Sequence, residues 1–155
     1  MSIDIVSLGR MTGIVIIVFV FAAESHERSH WIIARIWMRD VDIDRWRGLV
    51  ANEVILHEPF DIPPFGVRLA GLAPTLLGST VGTALFFLID APLAIRLLVA
   101  LPFWVSIMLS PSDMLAVISP RRFQKFSAEN DSAGHIEATK ILLKEIRKRA
   151  QMRFI

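Results

Sequence analysis

Apolar residues in this chain are gathered into long uninterrupted stretches, and that distribution limits its folding more than any other feature. The first runs from Thr12 to Ala23 (TGIVIIVFVFAA) and leads with no intervening Gly or Pro into SHERSHWIIARIW. At about 1.5 Å per residue, a helix from about Met11 to Trp37 would be roughly 40 Å long, enough to cross a bilayer and emerge. The second spans Leu69 to Ile89, and the third Leu93 to Leu109 after a short turn at Asp90, Ala91 and Pro92. Composition agrees: of 155 residues, a length that suits one domain, 54% are hydrophobic and 21% charged, and mean hydropathy is +0.53. The charges are confined to particular stretches, the pattern of a membrane protein. Without cysteine there is no disulfide, thiolate metal site or cysteine nucleophile. A net charge of +2 is too small to point to nucleic acid.

The first stretch does not read as a signal peptide: Asp4 accompanies a single Arg10 before it, and no small-residue cleavage pattern follows it. Between the first two stretches, Asp40, Asp42 and Asp44 alternate with Val41 and Ile43. This period of two predicts strands near Val41 to Arg45 and Leu49 to His57, closed by Pro59, Pro63 and Pro64, in a hairpin outside the lipid core. The second stretch carries Gly71, Ala73, Gly78, Ser79, Gly82 and Thr83, small residues that let helices approach closely. Pro74 inside it is tolerable if an adjoining helix satisfies the freed carbonyl. Arg96 can snorkel from the start of the third stretch. After the polar link AENDSAG, Ile136, Thr139, Leu143, Ile146 and Ala150 recur at helical spacing beside Lys144, Arg147, Lys148 and Arg149. The segment is expected to form an amphipathic basic helix, either solvated or resting on anionic lipid. Nine of the seventeen Lys and Arg lie from Arg121 onward, so the positive-inside rule puts the tail in the cytoplasm and the N-terminus outside.

His26, Glu27, Arg28, Ser29 and His30 spell H-E-x-x-H on the first predicted helix. The i, i+4 spacing puts both imidazoles on one helical face, where their nitrogens can bind one zinc, and Glu27 beside them can take a proton from water. The competing reading is a set of interfacial residues capping the helix. Zinc calls for a third protein ligand, with Asp113, His57, Glu58, Glu24 and His135 as candidates. Three spans bring Asp113 to the bilayer depth of His26, and His57 to the same side. Asp113 also reads as a helix N-cap ahead of MLAVI.

These residues resemble the intramembrane zinc metalloproteases of the site-2 protease class, in particular their small, divergent zincin-like relatives. HERSHWIIARIW is similar to the family's H-E-x-G-H-x-x-x-A-R, with Ala34 and Arg35 at the matching places; GLAPTLLG and PSDML extend the resemblance over about residues 11 to 115. The chain departs from the pattern at Ser29, where the family has Gly, and at Met114, which follows the aspartate where L-D-G is common. Val105 and Met108 stand where many members have Asn and Pro. The resemblance implies zinc bound by His26, His30 and Asp113, with Glu27 as the catalytic base.

The expected fold is an all-α membrane protein: three transmembrane helices, a short cytoplasmic β-hairpin over about residues 38 to 68, and a C-terminal amphipathic helix. Residues 1 to 120 form the core and 121 to 155 a basic cytoplasmic tail. The expected function is zinc-dependent intramembrane endopeptidase, with Zn2+ as cofactor and the lipid bilayer and a membrane protein substrate as partners. No nucleic acid is expected, and a homo-oligomer is left open. The alternative is a catalytically inactive metal-binding membrane scaffold or adaptor.

Overall fold

The protein, seen in a computed structural model, is described over residues 5–129 and 135–152, with backbone only at residues 5–11 and 135. Residues 130–134 of the predicted polar link, and residues 1–4 ahead of the first helix, lie outside the described part. The elements follow in the order α1 (Ile5–Ala34), β1 (Val41–Trp46), β2 (Val50–Leu56), a short 3-10 turn (Pro59–Asp61), α2 (Pro64–Leu88), α3 (Leu93–Val105), α4 (Pro111–Ile118), α5 (Pro120–Glu129) and α6 (His135–Met152). The described chain is thus mostly helical, with one two-stranded antiparallel sheet.

α2 is the hub, packed against α1, α3, α4 and α5. Its small residues make this possible. A Cβ on Gly71 would lie 3.0 Å from both the Ala116 Cβ and the Asp113 carbonyl oxygen, so α4 comes as near as backbone allows. Gly78 and Gly82 let α3 in likewise.

The hairpin keeps the predicted alternation, with Asp42 and Asp44 outward and Val41 and Ile43 inward. It pairs Val41 with Leu56 and Trp46 with Val50, and its turn takes positive φ at Arg47 and Gly48. Instead of standing clear of the helices, it folds back along α1. The Trp31 indole N–H donates to the Val41 carbonyl at 2.9 Å. At the other end Glu24 accepts from Arg45 Nη2 at 3.2 Å and from the Ala51 amide at 3.3 Å. The turn is therefore held two residues from His26.

Two predicted elements come out differently. The third apolar stretch is not one helix from Leu93 to Leu109: α3 ends at Val105, and α4 begins at Pro111. A residue before proline is pushed out of the helical region, and Ser110 is extended at φ −76°, ψ 163°. With 13 residues, α3 measures about 20 Å, short of the roughly 30 Å hydrocarbon core. Among the described residues, α2 is the one helix long and apolar enough to cross a membrane, which corrects the expectation of three such helices.

The amphipathic α6 forms, but rotated from the expected face. Ala138, Ile141, Leu142 and Glu145 turn inward, where Ala138 and Ile141 join Leu115 and Phe126. Ile136, Leu143 and Ile146 are exposed. The alanine admits a closer approach to α4 than the branched residues would, and Glu145 is neutralised by Arg122 at 2.7 Å and Arg149 at 3.4 Å.

Candidate metal centre

The i, i+4 histidines share one face of α1 as their spacing requires, with ring centroids 4.8 Å apart. Each ring is oriented by a main-chain carbonyl: His26 Nδ1 lies 2.8 Å from the Ser106 oxygen, and His30 Nδ1 lies 2.7 Å from the Ala70 oxygen. A carbonyl can only accept, so both Nδ1 atoms carry hydrogen and both neutral rings present Nε2 as a lone pair.

Both carbonyls lack a helical partner, for different reasons. Ala70 lies four residues before Pro74, which has no N–H to return the helical hydrogen bond. Its oxygen is left for His30 on the neighbouring helix. Ser106 is the C-cap of α3, where the helix ends and no amide follows to bond its carbonyl. The Ser110 amide instead donates to Asp113 Oδ2 at 2.7 Å. The break between α3 and α4 thereby releases an acceptor for His26 and a donor for Asp113.

Asp113 is not the N-cap of α4, as its place ahead of MLAVI suggested; it stands three residues after the cap, which is Ser110. Its amide donates to Ser110 Oγ at 3.2 Å, and its carboxylate accepts from the Ser110 amide, a reciprocal capping box at the start of α4. The same carboxylate reaches the imidazoles: Oδ1 is 3.0 Å from His30 Nε2 and Oδ2 is 3.3 Å from His26 Nε2.

The two Nε2 atoms are 3.1 Å apart. Two lone pairs and an anion at these distances repel unless a cation lies among them. A shared proton answers one contact at a time, whereas a metal ion answers all three. Two imidazoles and a carboxylate suit zinc, and oriented Nδ1–H groups are the usual outer support of histidine ligands. The residues present therefore fit zinc.

Glu27, His30 and Asp113 line one cavity of about 100 Å³. Its other walls come from β2 (Asn52 to Val54, Leu56), from Ile62 and Val67, and from Phe123 of α5. No described residue hydrogen-bonds the Glu27 carboxylate. Ser29 is buried with its hydroxyl donating to the Ser25 carbonyl at 2.6 Å, so the hydroxyl is satisfied within α1.

The other candidates for third ligand are engaged elsewhere. His57 Nε2 meets Asp42 at 3.1 Å on the exposed base of the hairpin, in a second acidic group with Asp40. Glu24 holds Arg28 and Arg45. Glu58 precedes the 3-10 turn, and the side chain of His135 is outside the described part. Sequence reasoning missed Ser110, although S-P-S-D carries the capping-box spacing. It could not find the Ala70 and Ser106 carbonyls, which any residue type would supply.

No protein-family model, curated protein or solved structure matches the chain.

At this position Asn can still accept from the Ser110 amide but brings no charge to the cation. Asp113→Asn should therefore keep the fold and lower zinc affinity at least about tenfold, since even outer-shell losses reach 10–100-fold. His57→Ala should leave it unchanged. Zinc retention under graded chelation measures both; the reverse pattern would move the third ligand to the hairpin.

Proposed function

We propose that this protein is a zinc-dependent intramembrane endopeptidase, similar to the site-2 protease class, that cleaves a transmembrane or membrane-adjacent protein segment. One juxtaposition carries the reading: Glu27, free of hydrogen-bonding partners among the described residues, shares a cavity with His30 and Asp113, whose ligand atoms converge with that of His26.

His26, His30 and Asp113 would hold the zinc, which when bound supplies Lewis acidity toward a scissile carbonyl and toward water. Glu27 accepts a proton as the water oxygen bonds to the carbonyl carbon. It then gives that proton to the amide nitrogen as the C–N bond breaks, so one water is added across one peptide bond. The Ser106 and Ala70 carbonyls keep both imidazoles in one tautomer throughout. A transmembrane helix must unwind before its backbone can be attacked, because its amides are otherwise satisfied internally. The edge of β2 away from β1 pairs with no other strand among the described residues. An unwound segment can add to it beside the cavity, trading helical hydrogen bonds for strand ones. The apolar walls at Val54, Leu56, Ile62 and Val67 suit a membrane-derived side chain.

The membrane setting is part of the proposal. Ile14 to Ile17, Phe19 and Phe21 of α1 are exposed, as are Leu76, Phe87 and Leu88 of α2 and Leu93, Ile95, Leu97 and Leu98 of α3. A belt of this extent calls for lipid rather than water. In this arrangement α2 is the one helix that would span unaided, and α1, whose apolar turns give way to Glu24, Glu27 and Arg28, and the broken α3–α4 unit pass through only packed against it, a broken helix being permissible where it lines a site inside protein. The basic α5 and α6 face the cytoplasm and the N-terminus lies outside, with the protein a multi-pass membrane protein. Single cysteines in this cysteine-free chain at Asp61 and Asp90, flanking α2, should label from the cytoplasmic and the outer side respectively. Labelling of both from one side would contradict the arrangement.

Glu27→Gln keeps the side chain's shape but removes the base. Peptidase activity should fall by about 10²–10⁴-fold with zinc content unchanged. Equal turnover of parent and variant would take Glu27 out of the mechanism, and zinc without turnover in the parent would leave a metal-binding scaffold.

A further inference from the structure

The rotation of α6 leaves a surface that the proposed peptidase chemistry does not use. Lys140, Leu143, Lys144, Arg147 and Lys148 follow one another at helical spacing along its outer side, and with Arg122 of α5 they line a groove of about 570 Å³. Arg122 is paired with Glu145 and Lys140 with Glu137 at 3.1 Å. Lys144, Arg147 and Lys148 are exposed, and no described residue forms an ion pair with them. Like charges are thus held together along a helix that cannot rotate away. Its inner face is fixed by Ala138 and Leu142, by the Glu145 ion pairs, and by a 2.7 Å hydrogen bond from Arg149 Nη2 to the Ile118 carbonyl. Such crowding costs free energy and calls for an anion.

We propose that this groove binds the phosphate headgroup of an anionic phospholipid at the membrane surface. Two further observations distinguish a lipid from a soluble phosphate. First, Leu143 and Ile146 are exposed among the cations, an arrangement that places apolar tips into acyl chains while the ammonium and guanidinium groups meet phosphates. Second, α6 packs on α4, and α4 lies against Gly71, within the first turns of the apolar α2. The groove therefore lies near the end of α2, where headgroups would be if α2 crosses the bilayer. Because α4 also carries Asp113, a lipid held here would brace the helix that supplies the third ligand. The inference rests on the membrane setting proposed above and not on the peptidase reaction.

The test uses the full chain in nanodiscs of phosphatidylcholine containing a small fraction of phosphatidylglycerol. Native mass spectrometry counts the lipids retained, for the parent and for a Lys144→Ala, Arg147→Ala, Lys148→Ala variant. All three sites are exposed, and alanine keeps helical propensity, so the variant should fold. Zinc content and melting temperature in pure phosphatidylcholine check this. The parent should retain phosphatidylglycerol over phosphatidylcholine, and the variant should lose about a hundredfold in that preference, at roughly fivefold per basic residue. Equal retention of the two lipids by the parent, or an unchanged preference in the variant, overturns the proposal. So does displacement of the lipid by millimolar inorganic phosphate, which would make the groove a site for free phosphate. Tighter binding of a nucleic-acid oligomer than of lipid, lost in the same variant, would overturn it as well. A chain that does not insert into the neutral bilayer instead contradicts the membrane setting, a result distinct from insertion without anionic preference.

Discussion

The candidate centre depends on two main-chain carbonyls that have no partner within their own helices. An imidazole on a helix can rotate about two bonds and exchange its tautomer, so an i, i+4 pair alone does not specify a metal site. Here the Ala70 oxygen, unpaired because Pro74 has no N–H, fixes His30, and the Ser106 oxygen, unpaired because α3 ends there, fixes His26. Each carbonyl gains an interhelical hydrogen bond in place of the helical one it lacks, which largely offsets the cost of Pro74 inside α2 and of the end of α3. The reward is that both Nε2 lone pairs converge on the Asp113 carboxylate.

The remaining architecture follows from keeping these partners in reach. Gly71 brings α4, and with it Asp113, against α2, while Gly78 allows the Phe103 to Ser106 segment to approach the same helix. Glu24 fastens the hairpin to α1 just before the histidines, which makes β2 a wall of the cavity that holds Glu27. Gln124 closes the far side by donating to the Pro59 and Ile62 carbonyls at 2.8 and 2.7 Å. Small residues, one buried amide and one carboxylate thus act on the same site from three elements, α2, α5 and α1.

Much of this was legible in sequence because it rests on spacing. Two histidines four apart must share a helical face, and alternating Asp40, Asp42 and Asp44 must point one way on a strand. The expected meeting of Asp113 with His26 occurs, through the close packing of α4 on α2 at Gly71, although the three spanning helices counted to reach it are not found among the described residues. What escaped was decided by backbone or by packing. Hydropathy ran the third stretch through to Leu109 because Ser110 and Pro111 fall just beyond its apolar residues, although the Ser-Pro step marks the break. The face of α6 was misassigned because Ile136, Leu143 and Ile146 are the larger apolar residues, whereas the packed face is set by Ala138, whose size admits close contact, and by Glu145, which is neutralised by arginines. The role of Pro74 was half visible: the need for a partner to its freed carbonyl followed from the sequence, but not that the partner is His30.

The central claim is that two imidazoles and one carboxylate hold a single zinc ion. Zinc K-edge X-ray absorption on the purified chain measures this directly. The account predicts one zinc per chain, with nitrogen and oxygen ligands at about 2.0–2.1 Å and the multiple-scattering signature of two imidazoles, lost when His26 and His30 are both replaced by alanine. A chain purified with zinc present that binds none, or a spectrum unchanged by that double replacement, would contradict it.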